Sequence, residues 1–136
     1  MQITRETDYA IRCVQYLCKN PGEIKMVDEI SEEMEIPKSF LAKILQKLTK
    51  AKVVKSFRGV KGGFMLLKKP KDINLWDVIK ITEGPIAINI CAVNKKACSL
   101  SKTCSVHPIW IDIREELEDR LKSIDFESLS KNGKRS

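Results

Sequence analysis

Apolar positions first take a helical period between residues 4 and 18, where Ala10, Ile11, Cys13, Val14, Leu17 and Cys18 share one arc of a helix that Asn20-Pro21-Gly22 ends. Asp8 lies on the opposite side of that helix, free to touch something else. Val27, Ile30 and Met34 repeat at three and four residues with Asp28, Glu29, Glu32 and Glu33 between them, which predicts a short second helix. Ile36-Pro37 closes it, because the residue before a proline is pushed out of helical conformation. Proline suits the first turn of a third helix, with Leu41, Ile44, Leu45 and Leu48 as its buried stripe. The other face carries Ser39, Ala42, Lys43, Gln46, Lys47 and Lys50. Two helices joined by about three residues, the second polar and basic outside, have the pattern of a helix-turn-helix.

Val53-Val54-Lys55-Ser56-Phe57 and Phe64-Met65-Leu66-Leu67 favour strands, and the basic, glycine-rich Arg58-Gly59-Val60-Lys61-Gly62-Gly63 between them reads as the tip of a hairpin. Asn74 can cap a fourth helix with Leu75, Val78, Ile79 and Thr82 on its core face, ended by Gly84-Pro85. Residues 86–106 show neither period and read as a loop that something other than packing must order. Beyond them Trp110, Ile113, Leu117, Leu121 and Ile124 return at spacings of 3, 4, 4 and 3, a stripe that either packs on its own domain or pairs with a copy of itself. Since it follows a domain already complete without it, self-pairing is the expectation, by analogy with two-fold regulators. The expected organisation is therefore mainly α with a small β-hairpin. It comprises a winged helix-turn-helix domain over 1–84, a cysteine-bearing loop over 85–107, a long C-terminal dimerisation helix over 108–127 and a flexible polar tail over 128–136.

Charge sharpens this picture. Residues 36–71 hold eleven of the 25 Lys and Arg and no Asp or Glu, leaving fourteen basic residues beside all 18 acidic ones elsewhere. A solvated surface normally mixes both signs, so a one-sign segment that also carries an apolar pattern points to nucleic acid. Short polar and basic groups on the third helix can reach base edges while lysines neutralise phosphates, and an arginine on the hairpin tip can enter a narrow minor groove. The same glycines could suggest a phosphate-cradling loop, but no Gly-Lys-Ser/Thr sequence opens a helix here. The expected contacts are Ser39, Lys43 and Arg58 on bases or groove and Lys47, Lys50 and Lys61 on phosphates, with Lys38 also in the interface.

At 136 residues and 43% apolar composition the chain suits one compact domain with an appendage. No apolar run is long enough to cross a bilayer and the N-terminus lacks a signal-peptide pattern, so a cytoplasmic protein is expected. Five cysteines in a reducing compartment argue against a disulfide framework. Cys13 and Cys18 fall in the first helix stripe and read as small buried hydrophobes. Cys91, Cys98, Cys104 and His107 place four soft or borderline ligands within 17 residues, a set that suits an iron-sulfur cluster, zinc or redox-active thiols. The spacing departs from the close cysteine pairs of structural zinc sites. One histidine, with no paired nucleophile and base, leaves little for acid-base catalysis, so an enzyme is not expected. A small redox or metal-carrier protein would need the cysteines but not the basic segment.

Taken together, Asp8-Tyr9-Ala10, Ser39-Phe40-Leu41-Ala42-Lys43, the glycine-rich tip through Phe64, and three cysteines ahead of His107-Pro108-Ile109-Trp110 resemble the bacterial IscR/NsrR family. The resemblance covers about residues 1 to 125. It implies a homodimeric winged-helix transcription factor, often a repressor, on a near-palindromic double-stranded DNA operator, with Trp110, Ile113, Leu117 and Leu121 in the dimer contact. It also implies an iron-sulfur cluster, 2Fe-2S or 4Fe-4S with the former preferred, on Cys91, Cys98 and Cys104. The fourth ligand would be His107 or Asp8 of the partner subunit, and the signal would be cluster supply, redox state, nitric oxide or iron.

Overall fold

The Thr4 hydroxyl starts the first helix by accepting the Thr7 N–H at 3.3 Å, and α1 (Arg5–Lys19) follows. Ala10, Cys13 and Val14 are wholly enclosed and Leu17 nearly so, which puts α1 at the centre of the core. The computed structural model describes residues 2–86 and 88–132. Thr7 is equally buried, and a buried hydroxyl persists only when paired. It lies 2.6 Å from the Thr82 hydroxyl and donates to Glu83 Oε1 at 2.9 Å, while the Thr4 N–H donates to the same oxygen at 2.6 Å. The start of α1 is thereby tied to the end of α4 (Leu75–Thr82).

Next comes α2 (Val27–Met34), ended by Glu35 at φ 53°; the Ile36 N–H bonds back to Ser31 and the Ser31 hydroxyl to the Ile36 carbonyl. Pro37 stands at the N-cap of α3 (Lys38–Lys50) rather than within its first turn. The hairpin of β1 (Val54–Phe57) and β2 (Gly63–Leu66) is antiparallel, in register from Val54 opposite Leu66 to Phe57 opposite Gly63. Lys25 adds a one-residue bridge to Phe64 through two backbone bonds of 2.8 Å. Asn74 caps α4 reciprocally: its side chain accepts the Asp77 N–H at 2.8 Å and Asp77 accepts the Asn74 N–H at 3.1 Å. The architecture is mainly helical with a two-stranded hairpin, as the pattern predicts.

Two expectations need correction. The segment read as a loop over 86–106 contains a single helical turn, α5 (Ile90–Val93), and a 3-10 turn over Lys95–Ala97. The long C-terminal helix, α6 (His107–Lys122), stops short of residue 127, and the chain folds back to make α7 (Phe126–Asn132). At the turn, Leu75 donates to the Ile124 carbonyl and Phe126 to the Ile73 carbonyl, both at 2.9 Å. Phe126 is fully buried and Leu129 packs beside it, so the first part of the expected polar tail is helical; residues 133–136 lie outside the described residues. Asp125 caps α7 through the Ser128 N–H and hydroxyl at 2.8 and 3.0 Å, and the backbone bond holds its carboxyl below the ordinary 3.8. Two apolar residues three apart make too short a stripe to stand out in a sequence.

Phe126→Ala leaves a cavity where α7 meets the core and is expected to cost about 3–5 kcal/mol, read as a fall in the urea midpoint. Hydrogen bonding, from Thr4 first, holds the Glu83 carboxyl below its ordinary 4.5 against the opposing effect of burial. A depressed carboxyl contributes stability above its unfolded value and loses it as pH falls through the folded one. Glu83→Gln should therefore lower the thermal midpoint at pH 7 and flatten its decline below about pH 4.5.

Candidate nucleic-acid interface and metal centre

Four residues decide which way α3 faces. Leu41, Ile44, Leu45 and Leu48 are at most 1% exposed, which turns Ser39, Ala42, Lys43, Gln46, Lys47 and Lys50 outward. Phe40 stays partly exposed but rests its ring on Tyr9, 5.2 Å between centroids at an interplanar angle of 72°. The hairpin tip carries Arg58, Val60 and Lys61 to the surface, Val60 being 96% exposed. Its shape depends on glycine: a Cβ on Gly62 would lie 2.3 Å from the Phe57 carbonyl oxygen, and Gly59 sits at φ +102°.

Not every expected cation is bare. Lys47 pairs with Glu6 of α1 at 2.8 Å and Lys38 with Asp28 of α2 at 3.0 Å, whereas Lys43, Lys50, Arg58 and Lys61 form no ion pair among the described residues. Sequence reading missed Glu6 and Asp28 as neighbours of this face, because both lie outside the one-sign segment. Asp8 is not free either. Its carboxylate holds Arg12 at 3.1 Å, and that arginine also donates to the Met34 carbonyl and stands over the Tyr9 ring.

The cysteines fall into two classes. Burial pushes the thiols of Cys13 and Cys18 up to about 12, so both stay neutral and serve as small hydrophobes. Of the other three, Cys91 is buried on α5, Cys98 is half-buried and Cys104 is exposed. Cys98 and His107 line one open cavity of about 670 Å³ together with Lys96, Ser99, Ser101 and Lys102. His107, at the start of α6, is 7% exposed and its buried Nδ1 has no hydrogen-bond partner among the described residues. Among the described residues no group of three or more His, Cys, Asp or Glu stands close enough to hold a metal ion. The structure thus brings Cys98 and His107 to one cavity but does not gather Cys91, Cys104 and Asp8 with them.

Local bonding shows what is braced. Arg114 of α6 donates through Nη1 to the Ala92 carbonyl, fixing the turn that bears Cys91 against α6; its Nε, 3.8 Å from Glu118, is too far for a hydrogen bond. By contrast, the hydrogen bonds described for residues 94–106 join positions four apart or fewer, among them Ala97 to Asn94 at 3.0 Å, Cys104 to Leu100 at 2.8 Å and the Ser101 hydroxyl to the Cys98 carbonyl at 3.0 Å. No periodicity marks Arg114, since it acts through a backbone oxygen.

Comparison with known proteins adds an independent finding. The sequence pattern of the Rrf2 family, described as iron-dependent transcriptional regulator, matches residues 3–132. The chain is 34% identical over 108 residues to the HTH-type transcriptional regulator NsrR of Bacillus subtilis, spanning 78% of this chain and 74% of that one. It is equally 34% identical over 108 residues to protein aau3 of Rhizobium meliloti, spanning 79% and 70%. Among solved structures, CymR, the global cysteine regulator of B. subtilis, superposes with a TM-score of 0.77 at 26% identity, over 96% of this chain and 97% of that one.

The interface predicts a graded response. Lys50→Ala should weaken binding to every duplex and make the salt dependence shallower by about one unit per lost phosphate contact. Arg58→Ala should cost about 1–3 kcal/mol on the preferred site, as for a groove-reading contact. Gly62→Ala should weaken DNA binding in a fluorescence-anisotropy titration with an unchanged far-ultraviolet circular dichroism spectrum, because the clash is confined to the tip.

Proposed function

Because this chain belongs to the Rrf2 family and is a DNA-binding transcriptional regulator of the winged-helix fold rather than an enzyme, we propose that an iron-sulfur cluster on Cys91, Cys98 and Cys104 controls its hold on the operator. The observation that supports the reading is that His107, whose buried Nδ1 has no partner, lines with Cys98 a cavity large enough for a cluster. Thiolates with an imidazole suit such a cluster chemically, and His107 or Asp8 of the partner subunit would complete the set. Bringing the three sulfurs together requires residues 94–106 to move toward α5, and their bonds to one another, all local, leave them able to do so. When bound, the cluster supplies redox and ligand-exchange chemistry. The rest falls to the chain: Arg114 holds the α5 turn that bears Cys91 against α6, and α6 would carry any shift of the cysteine segment to the contact between subunits.

That contact is assigned to α6 in a homodimer on a near-palindromic site, where the protein acts as a repressor. Trp110 and Ile113 are half-buried in the single subunit, and Ile109 beside them is exposed. Leu117 and Leu121 instead line an apolar cleft of about 330 Å³ with Ile3, Ile79, Pro85 and Ile86 of their own subunit. This burial supports a self-pairing stripe centred on the first half of α6, with Leu117 and Leu121 serving both sides.

A zinc-stabilised or thiol-redox regulator is the second reading; the exposure of Cys104 and the separation of the three thiols favour the thiol-redox form, while zinc would need the same gathering of ligands as the cluster. Anaerobic purification with iron and sulfide counts separates the two. A brown protein with visible absorption, lost in Cys91→Ala, Cys98→Ala and Cys104→Ala but retained in Cys13→Ala, supports the cluster; a colourless zinc protein or a full cluster in Cys104→Ala overturns it. His107→Ala should keep a cluster with a shifted spectrum. Ile113→Glu should give a folded monomer by sedimentation, whereas Leu117→Glu should lower the melting temperature as well.

A further inference from the structure

The ion pair between Glu6 and Lys47 joins two rigid elements. Lys47 follows Ile44 and Leu45 and precedes Leu48 on α3, all three almost wholly buried, so its backbone cannot drift. Glu6 lies in the first turn of α1, next to Thr7, whose hydroxyl is fixed to Thr82 and Glu83. The carboxylate is thus held where its helix begins, with 25% of the side chain exposed, and meets Lys47 Nζ at 2.8 Å, the lysine side chain being 43% exposed. The Lys38–Asp28 pair is more open: its side chains are 65% and 71% exposed, in the range where salt and side-chain entropy leave a pair little net effect.

We propose that Glu6 is a specificity-determining residue: it holds Lys47 away from the phosphate backbone and so limits binding to DNA of the wrong sequence. Non-specific affinity comes almost entirely from cations that release counterions from phosphates. A lysine neutralised within the protein releases none, and the carboxylate beside it repels the duplex. Base and groove contacts by other residues are untouched, so the gap between operator and random DNA widens. The pair serves DNA binding alone and does not depend on how the cysteines are used.

The test measures salt dependence for the full-length protein on operator and on random duplexes of equal length, at 50 to 200 mM salt. Glu6→Gln should tighten random-duplex binding and steepen its salt slope by about 0.9 per bound subunit, a change of about 3.5-fold in relative affinity per subunit across that range. Operator binding should gain less, so the ratio of the two affinities falls. Adding Lys47→Gln to Glu6→Gln should remove the added slope. An unchanged slope in Glu6→Gln overturns the proposal. So does an equal steepening when Lys47→Gln is present in both proteins compared, which would mean that Glu6 acts as a general surface charge. Melting curves of both variants guard against misfolding, and Lys47→Gln alone, which leaves Glu6 in place, should not make the random-duplex slope shallower; if it does, Lys47 already contacts phosphate in the wild type and the proposal fails.

Discussion

Ala10, Cys13, Val14 and Leu17 leave water almost completely because α1 meets α2, α3, α4 and α7 at once, and the rest of the fold hangs on that burial. Val14 and Leu17 each contribute about 1.5–3 kcal/mol when removed from water and the smaller Ala10 and Cys13 less, provided nothing polar is trapped with them. Thr7, the polar side chain that α1 buries with them, is matched by Thr82 and Glu83. α1 therefore fixes the orientation of α3, which has its own apolar stripe pressed into the same core, and that orientation decides which lysines a duplex meets.

The electrostatics of the recognition surface are less one-sided than the chain suggests. A segment with eleven cations and no acid reads as a continuous positive surface, yet Glu6 and Asp28 reach it from α1 and α2. Folding places acids from elsewhere at two points of α3, beside Lys38 and Lys47, and leaves the other nine cations of the segment without an acidic partner among the described residues.

Helices α1 to α4 and the hairpin were legible because their apolar residues keep a period over two or more turns or alternate between turn signals. The Asn74 cap was legible for the same reason that it works, a side chain suited to an orphan N–H before an apolar run. What escaped were short or long-range features. α7 is seven residues long and owes its place to Phe126 and to backbone bonds with residues 73 and 75. α5 is a single turn held by Arg114 from 22 residues away. Of the candidate ligands, spacing marked Cys91, Cys98, Cys104 and His107 as a set, while the fold joins only Cys98 and His107 on one cavity. Sequence distance limits what ligands can meet; it does not bring them together.

The clasp between residues 73–75 and 124–126 gives α6 a mechanical character. One end of this 16-residue rod, about 24 Å long, is pinned to the core by two backbone bonds and the Phe126 plug, while the other begins at His107 beside the cysteine segment. A rod anchored at one end answers a sideways push at the other by pivoting. A displacement of about 3 Å at His107 would swing the axis by about 7°, since it is divided over a length of about 24 Å. In the dimer proposed above, such a pivot at each α6 would re-aim the α3 of either subunit by a displacement no larger than a side chain, without unfolding either domain.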